Sequence, residues 1–265
     1  MDVKKHYNQL PGRPKHSRIQ PIRDAQNLIK SSLIYKFTPK NANVLDLCGG
    51  KGGDLHKYLH REAHHYVLVD VAGKAVKHAR DRYFGANKKR FGKKPLFLTM
   101  DCFKPVVEYL PYEFDVVSCM FAIHYAFGST EMVEHFFLNA STKCRKGGHL
   151  LITTTDSRRL MEFQGNDLCQ VKWQDQHRYT FSLVEAVNGI DEFIVSASYL
   201  IGVADRYGFK LLITNNFLDY LNDMEAHPDR FHASLLEKTP LNALYQQPDQ
   251  EDVVGLYRLF VFVKE

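Results

Sequence analysis

Residues 44–54 read Val-Leu-Asp-Leu-Cys-Gly-Gly-Lys-Gly-Gly-Asp, and this stretch restricts the fold more than any other. An apolar run carrying Asp46 passes into four glycines within five positions, with Lys51 among them and Asp54 directly behind. Glycines packed so closely after a strand-like run let the backbone approach a ligand where a Cβ would clash. Two carboxylates and an ammonium around one turn point to a polar ligand that itself carries charge. A turn that only needs positive φ accounts for one or two glycines, not four.

Strands and helices alternate around this loop. A helix-like stretch, Ile22–Phe37, leads through Pro39 to a short strand at 43–47, and the glycines open a helix at about 53–62. A second strand ends on Asp70 and a helix follows from about 72 to 84. Strands near 95–100 and 113–118, a helix at 130–142 and a strand at 149–154 continue the series. This βαβ rhythm predicts an α/β, doubly wound and mostly parallel sheet. A helix at 198–207, then 209–214 and 255–263 as an antiparallel pair, brings the sheet to seven strands. Two alternating runs, His177–Val184 and Glu192–Ala197, flank Asn188-Gly189, a hairpin signal, and predict a small antiparallel insert over about 157–197. Residues 222–252, polar and proline-containing, read as a mobile loop.

The chain of 265 residues is 45% hydrophobic, which suits one sizeable domain. No apolar stretch approaches the ~20 residues that span a bilayer, and Met1–His6 lacks the apolar segment of a signal peptide. Five cysteines with no C-x-x-C pair argue against a disulfide framework and fit a reducing compartment. Residues 1–36 hold eight basic side chains against Asp2 and Asp24, a net +6; because the whole chain is +5, the rest sums to −1. A basic leading arm, 1–20, suggests a phosphate-bearing partner.

The spacing Gly49, Gly50, Gly52, Gly53 departs from the G-x-G-x-x-G of dinucleotide-binding folds. A carboxylate at the strand end, Asp46, suits a cation and repels a pyrophosphate. S-adenosylmethionine (AdoMet) brings a sulfonium, an α-ammonium and a ribose diol. Asp70, ending the second strand, is placed to accept both ribose hydroxyls, and Asp101-Cys102, after the third, to meet the adenine amino group. A Rossmann-like class I methyltransferase is the reading that follows.

At this point the chain resembles the mRNA cap guanine-N7 methyltransferases. That family's V-L-D-L-G-C-G-K-G-G-D-L stands here as Val44–Leu55, and its F-x-x-H-Y-x-F as Phe121-Ala-Ile-His-Tyr-Ala-Phe127. Its I-R-N-x-N-N-x-I-K is matched by Ile22–Lys30, and Val254-Gly-Leu-Tyr257 precedes a final strand as in the family. Ile152–Asp156 is similar to the poxviral branch. The resemblance spans about residues 20–263.

The resemblance implies methyl transfer from AdoMet to N7 of the terminal guanosine of GpppN-RNA, leaving S-adenosylhomocysteine. For the cofactor it implies Lys30, Asp46, Cys48, Gly49, Asp54, Asp70, Asp101, Cys102, Met120 and Tyr125, with Lys30 meeting the methionine carboxylate and Asp46 near the amino end. For the cap it implies Gln26, Asn27, Lys51, Phe121, His124, Tyr125, Thr155, Glu192 and Tyr257. Guanine offers N1–H and N2–H, which one carboxylate such as Glu192 accepts together, while Phe121 and Tyr257 supply aromatic faces. Lys51, Arg23 and the basic arm are suited to the triphosphate. Guanine N7 already carries its lone pair, so no general base is needed, and Phe121, His124 and Tyr125 act by positioning. Capped RNA is the implied partner, with a capping-enzyme or activating subunit beside it. The implied compartment is the nucleus, or a cytoplasmic factory for a viral member.

Five departures from the family pattern stand out. Cys48 occupies a glycine position, Gln26 replaces Asn, Phe103 replaces Tyr, Met120 replaces Gln, and Thr155 replaces Pro. They motivate an alternative, a weakly active or inactive methyltransferase-fold subunit that binds RNA or a partner. A small-molecule AdoMet enzyme is a third reading. His56, His60 and His64 at i, i+4, i+8 have a spacing that can hold zinc, but no carboxylate or cysteine completes them, so no metal is expected.

Overall fold

The computed structural model describes residues 4, 5, 8, 16–85, 90–239 and 241–265. Most of the basic arm therefore lies outside the described residues. Helix α1 (Gln20–Phe37) carries Pro21 in its first turn and buries Ile22, Ala25, Leu28, Ile29 and Leu33. Next come β1 (Asn43–Leu47), α2 (Leu55–His60), β2 (His65–Asp70), α3 (Gly73–Gly85), β3 (Leu96–Thr99) and β4 (Phe114–Met120). α4 (Thr130–Lys143) leads into the long β5 (Cys144–Thr155), and α5 (Ser157–Glu162) into a separate unit of β6 (Cys169–Trp173), β7 (Arg178–Leu183) and β8 (Val187–Phe193). α6 (Ala197–Arg206) and β9 (Phe209–Asn216) return the chain to the main sheet. α7 (Phe217–Ala226), α8 (Arg230–Lys238), α9 (Asn242–Tyr245) and α10 (Pro248–Gly255) precede the last strand, β10 (Tyr257–Lys264).

The main sheet has seven strands in the order β3-β2-β1-β4-β5-β10-β9, and β10 runs antiparallel to both its neighbours. β2 is buried along its whole length, as an inner parallel strand covered on both faces must be. Side chains alternate between two cores, as the pleat requires. Val44, Leu68, Val116, Leu259 and Val261 join α1, α2, α3, α7 and α10 on one face. Leu45, Val67, Val117, Phe260 and Phe262 join α4 and α6 on the other. Strand order reverses between β1 and β4, and ligand crevices open outside the carboxyl ends of strands at such a switch point.

Two expectations need correction. Asn188-Gly189 is not the hairpin turn: both residues lie inside β8, and the turn falls at 184–186, with Glu185 at φ 60°. Gly189, also at φ 60°, lies in a β7–β8 pairing whose register shifts between Phe181 and Leu183, so it serves an irregular strand rather than a turn. Glu192 and Phe193 close β8, and 194–196 fall outside it, while β6 forms the third strand at the far edge. Residues 222–252, expected as loop, are largely helical. Two of their residues start helices: Asp229 accepts from His232 N–H as a cap, and Pro248 opens α10.

Candidate active site

At the end of β1 the backbone turns left-handed at Cys48 (φ 57°), Gly50 (φ 52°) and Gly52 (φ 68°). Gly49 is fixed by space: a Cβ there would lie 2.7 Å from Asp46 Oδ2 and from Leu68. At Gly52 a Cβ would stand 3.0 Å from Ala79 Cβ, because α3 packs onto the loop. Gly50 opens outward, its nearest neighbour 4.0 Å away. The loop is thus a cradle closed behind and open in front.

Asp46 is buried and accepts hydrogen bonds from Tyr66 Oη (2.5 Å) and Ser118 Oγ (2.8 Å). Burial, with Asp54 nearby, pushes its carboxyl up to about 7 despite those bonds. Asp54 behaves oppositely. Burial alone would raise it, but Lys30 Nζ at 2.9 Å and Lys57 Nζ at 2.7 Å outweigh that and hold it at about 2. Asp70 caps the loop: Oδ2 accepts from Gly50 N–H and Oδ1 from Ala72 N–H, both at 2.8 Å. Burial raises Asp70 above the usual carboxylate range, and these two donors oppose the rise. Asp101 accepts from Phe103 N–H at 3.0 Å, and Cys48 N–H points at Cys102 Sγ, 3.3 Å away. Met120 Sδ accepts from Thr153 Oγ1 at 3.6 Å.

A cleft of about 1740 Å³ opens over this loop. That exceeds the roughly 300–1,000 Å³ of a site for one small ligand and leaves room for two. All ten expected cofactor residues line it, as do Lys51, Arg23 and Phe121. Its far wall is the solvent-facing side of the three-stranded sheet, including Gln170, Arg178, Ser182 and Asp191, with Phe193 pressed against Gly128. Asp46, Asp54, Asp70 and Asp101 all line the cleft beside the loop; a cationic ligand there favours the ionised form of Asp46.

Four of the expected cap residues, His124, Thr155, Glu192 and Tyr257, do not line the cleft. His124 and Glu192 are 3% and 4% exposed, and Thr155 and Tyr257 are buried beside them. Phe121 adopts φ 59°, a left-handed strain held by its N–H bonding Thr153 O at 2.9 Å. Its ring meets Tyr257 and Phe217 edge-on, at 5.1 and 5.8 Å between centroids. Tyr179 bridges Thr155 Oγ1 (3.1 Å) and Glu192 Oε2 (3.0 Å). Burial pushes Glu192 up to about 8, against hydrogen bonds from Tyr179 and Tyr125. Burial also takes His124 down to about 3, and neither ring nitrogen has a hydrogen-bond partner among the described residues. Gln26 and Asn27 do not reach the cleft; Asn27 Oδ1 is taken by Lys57 Nζ at 3.1 Å. His64 falls beyond the end of α2, so the three histidines do not share a helix face.

Sequence reasoning passed over five side chains that complete the site. Tyr66 and Ser118 hold Asp46, Lys57 shares Asp54, Tyr179 orients Glu192, and Arg82 Nη1 donates to Gly52 O at 3.1 Å. Only Tyr179 left a trace: it alternates with Phe181 and Leu183 on the buried face of β7.

The chain matches the model of the mRNA (guanine-N(7))-methyltransferase domain over residues 1–265. It is 29% identical to the mRNA cap guanine-N(7) methyltransferase of Candida glabrata, over 99% of this chain and 72% of that protein. With the protein of that name from Schizosaccharomyces pombe it shares 32% identity, over 83% of this chain and 69% of that one. Among solved structures it resembles magnesium protoporphyrin IX methyltransferase from Synechocystis PCC 6803 with bound SAM, at a TM-score of 0.56 and 12% identity, covering 98% and 90% of the two chains. Fold, glycine cradle and full-length family match agree: this chain belongs to the mRNA (guanine-N(7))-methyltransferase family.

Proposed function

We propose that this chain transfers the methyl group of AdoMet to N7 of the terminal guanosine of capped RNA, and that the cleft over Cys48–Gly53 and the buried Glu192 group behind Phe121 divide the two substrates between them. The observation that carries this reading is the juxtaposition of an acidic glycine cradle with a buried carboxyl that two tyrosines orient. AdoMet supplies an electrophilic methyl on a sulfonium. Lys30 and Asp54 face its charged amino-acid end, Asp70 its ribose, and Asp101 and Cys102 its base.

On the acceptor side Glu192, once ionised, accepts guanine N1–H and N2–H, and Phe121 and Tyr257 close on the ring. The nucleophile carries no proton to lose. His124, held neutral by burial, therefore serves as a neutral wall of the guanine site, not as a proton carrier. Catalysis in this reading is alignment inside a dry pocket. Capped RNA is the partner, an activating subunit is expected beside it, and the nucleus is the site of action because capping accompanies transcription; fractionation of cells tests the compartment.

The test is transfer of tritiated methyl to RNA beginning GpppA and to the same RNA uncapped. Label on guanine N7 of the capped RNA alone is expected. Cap binding without transfer would replace this reading with that of a non-catalytic RNA-binding subunit.

A further inference from the structure

We propose that the solvent face of α3 is a phosphate track for the RNA chain downstream of the cap. Residues 74–94 hold Lys74, Lys77, Arg80, Arg82, Lys88, Lys89, Arg90, Lys93 and Lys94 against Asp81 alone. α3 buries Ala75, Val76, Ala79 and Tyr83 on its inner side. At 3.6 residues per turn the opposite arc presents Arg80, Lys77, Lys74, His78 and Arg82 in that order around the axis, with Asp81 as the one carboxylate among them, between Lys77 and Lys74, and all six are exposed.

Two contacts join this arc to the cleft. Ala79 lies so close to Gly52 that the helix rests on the glycine loop itself, and Arg82 grips the loop through Gly52 O at 3.1 Å. His78 and Arg82 line the cleft, whereas Lys74, Lys77 and Arg80 lie outside it. The positive face therefore begins at the mouth of the site and extends for the roughly 20 Å of a 13-residue helix. Past its end, Arg90 lies over Tyr83 and Lys93 over Tyr112, at 5.2 and 4.4 Å from the ring centroids, so aromatic faces hold further cations in place.

So many like charges repel one another unless a polyanion neutralises them. An acidic protein segment carries such charge, but the RNA is already anchored in the adjoining cleft, and its phosphodiesters repeat as regularly as this face does. The inference rests on the cap-methylation reading, so its test separates the two.

The variant is Lys74→Gln/Lys77→Gln/Arg80→Gln, which leaves the cleft-lining His78 and Arg82 intact. Its substrates are the dinucleotide GpppA and a capped RNA of about 20 nucleotides, longer than the roughly 4–16 that one binding domain covers. With GpppA, kcat/KM is expected to equal that of the wild type. With the capped RNA, KM is expected to rise about tenfold at low salt. The slope of log KM against log salt is expected to flatten by about 2, since each single-strand phosphate contact contributes about 0.7. Equal KM and slope on the long RNA would overturn the track, as would an equal loss on GpppA. So would wild-type handling of the RNA combined with lost binding of polyglutamate, which would assign the face to an acidic protein. If the wild type methylates neither substrate, the cap reading fails; fluorescence anisotropy with uncapped RNA of the same length, wild type against variant, then still decides the track.

Discussion

His124 Nε2 and Glu192 Oε1 stand 3.5 Å apart, yet at neutral pH they do not form an ion pair. Burial holds the histidine neutral, at about 3, and keeps the glutamate largely protonated, at about 8. A group that must be ionised to accept two guanine donors thus rests in its neutral form, and cap binding is coupled to the loss of a proton.

The coupling has a sign. Glu192 should hold a proton in the folded chain that the unfolded chain, near 4.5, has released. Its burial therefore destabilises the fold progressively as pH rises from about 4.5 to 8. Glu192→Gln is expected to match the wild type in chemical denaturation near pH 4 and to exceed it by about 1 kcal/mol or more at pH 8. Wild-type KM for GpppA is expected to fall as pH approaches 8, while in Glu192→Gln it is high and flat. A wild-type KM that does not change from about pH 6.5 to 8.5 would remove Glu192 from guanine recognition.

Asp54 carries the opposite linkage. Held at about 2 against an unfolded value of 3.8, it contributes stability above about pH 4 that is lost as pH falls toward 2. Asp54→Asn should flatten this part of the acid-unfolding curve. It should also leave the Lys30 and Lys57 ammoniums unneutralised, weakening AdoMet binding at least about tenfold by calorimetry. Unchanged affinity would mean that the cluster is structural only.

Cys48 sits in a left-handed conformation that penalises any side chain and most severely a β-branched one. Cys48→Val is expected to lose about 2 kcal/mol or more in denaturant unfolding. Cys48→Gly should stay within about 1 kcal/mol of the wild type, because relief of strain offsets lost packing and a freer unfolded chain. Gly49→Ala is the contrasting case. Its Cβ would meet Asp46 and Leu68 at 2.7 Å, so both stability and AdoMet affinity should fall. Normal AdoMet binding by the Gly49→Ala variant would show that the loop yields.

Tyr66→Phe removes one of the two donors to Asp46 and leaves a buried carboxylate half satisfied. A cost of about 1–3 kcal/mol is expected, larger above pH 7 than below it. A loss independent of pH would place the effect in packing rather than in the hydrogen bond.

Much of this protein was written locally. The parallel sheet announced itself because buried strands such as His65–Asp70 need runs that are apolar on both faces, and the cradle because glycines replace side chains where backbone crowds backbone. Polar residues between 222 and 252 misled because capping and solvent-facing positions use the same amino acids as loops. Asn188-Gly189 misled because positive φ serves an irregular strand as well as a turn.

The sequence by itself determined the fold class and the glycine loop with Asp46 before it and Asp54 behind it, since these depend on neighbours in the chain and on the strand and helix periods. Only the tertiary structure decided which charges neutralise one another. It joined Lys30 and Lys57 to Asp54, Tyr66 to Asp46 and Tyr179 to Glu192, partners 3 to 24 positions apart. It also set Glu192 and Asp46 near neutral pH and Asp54 far below it. Protonation depends on burial and on the nearest opposite charge, and both exist only once the chain has folded.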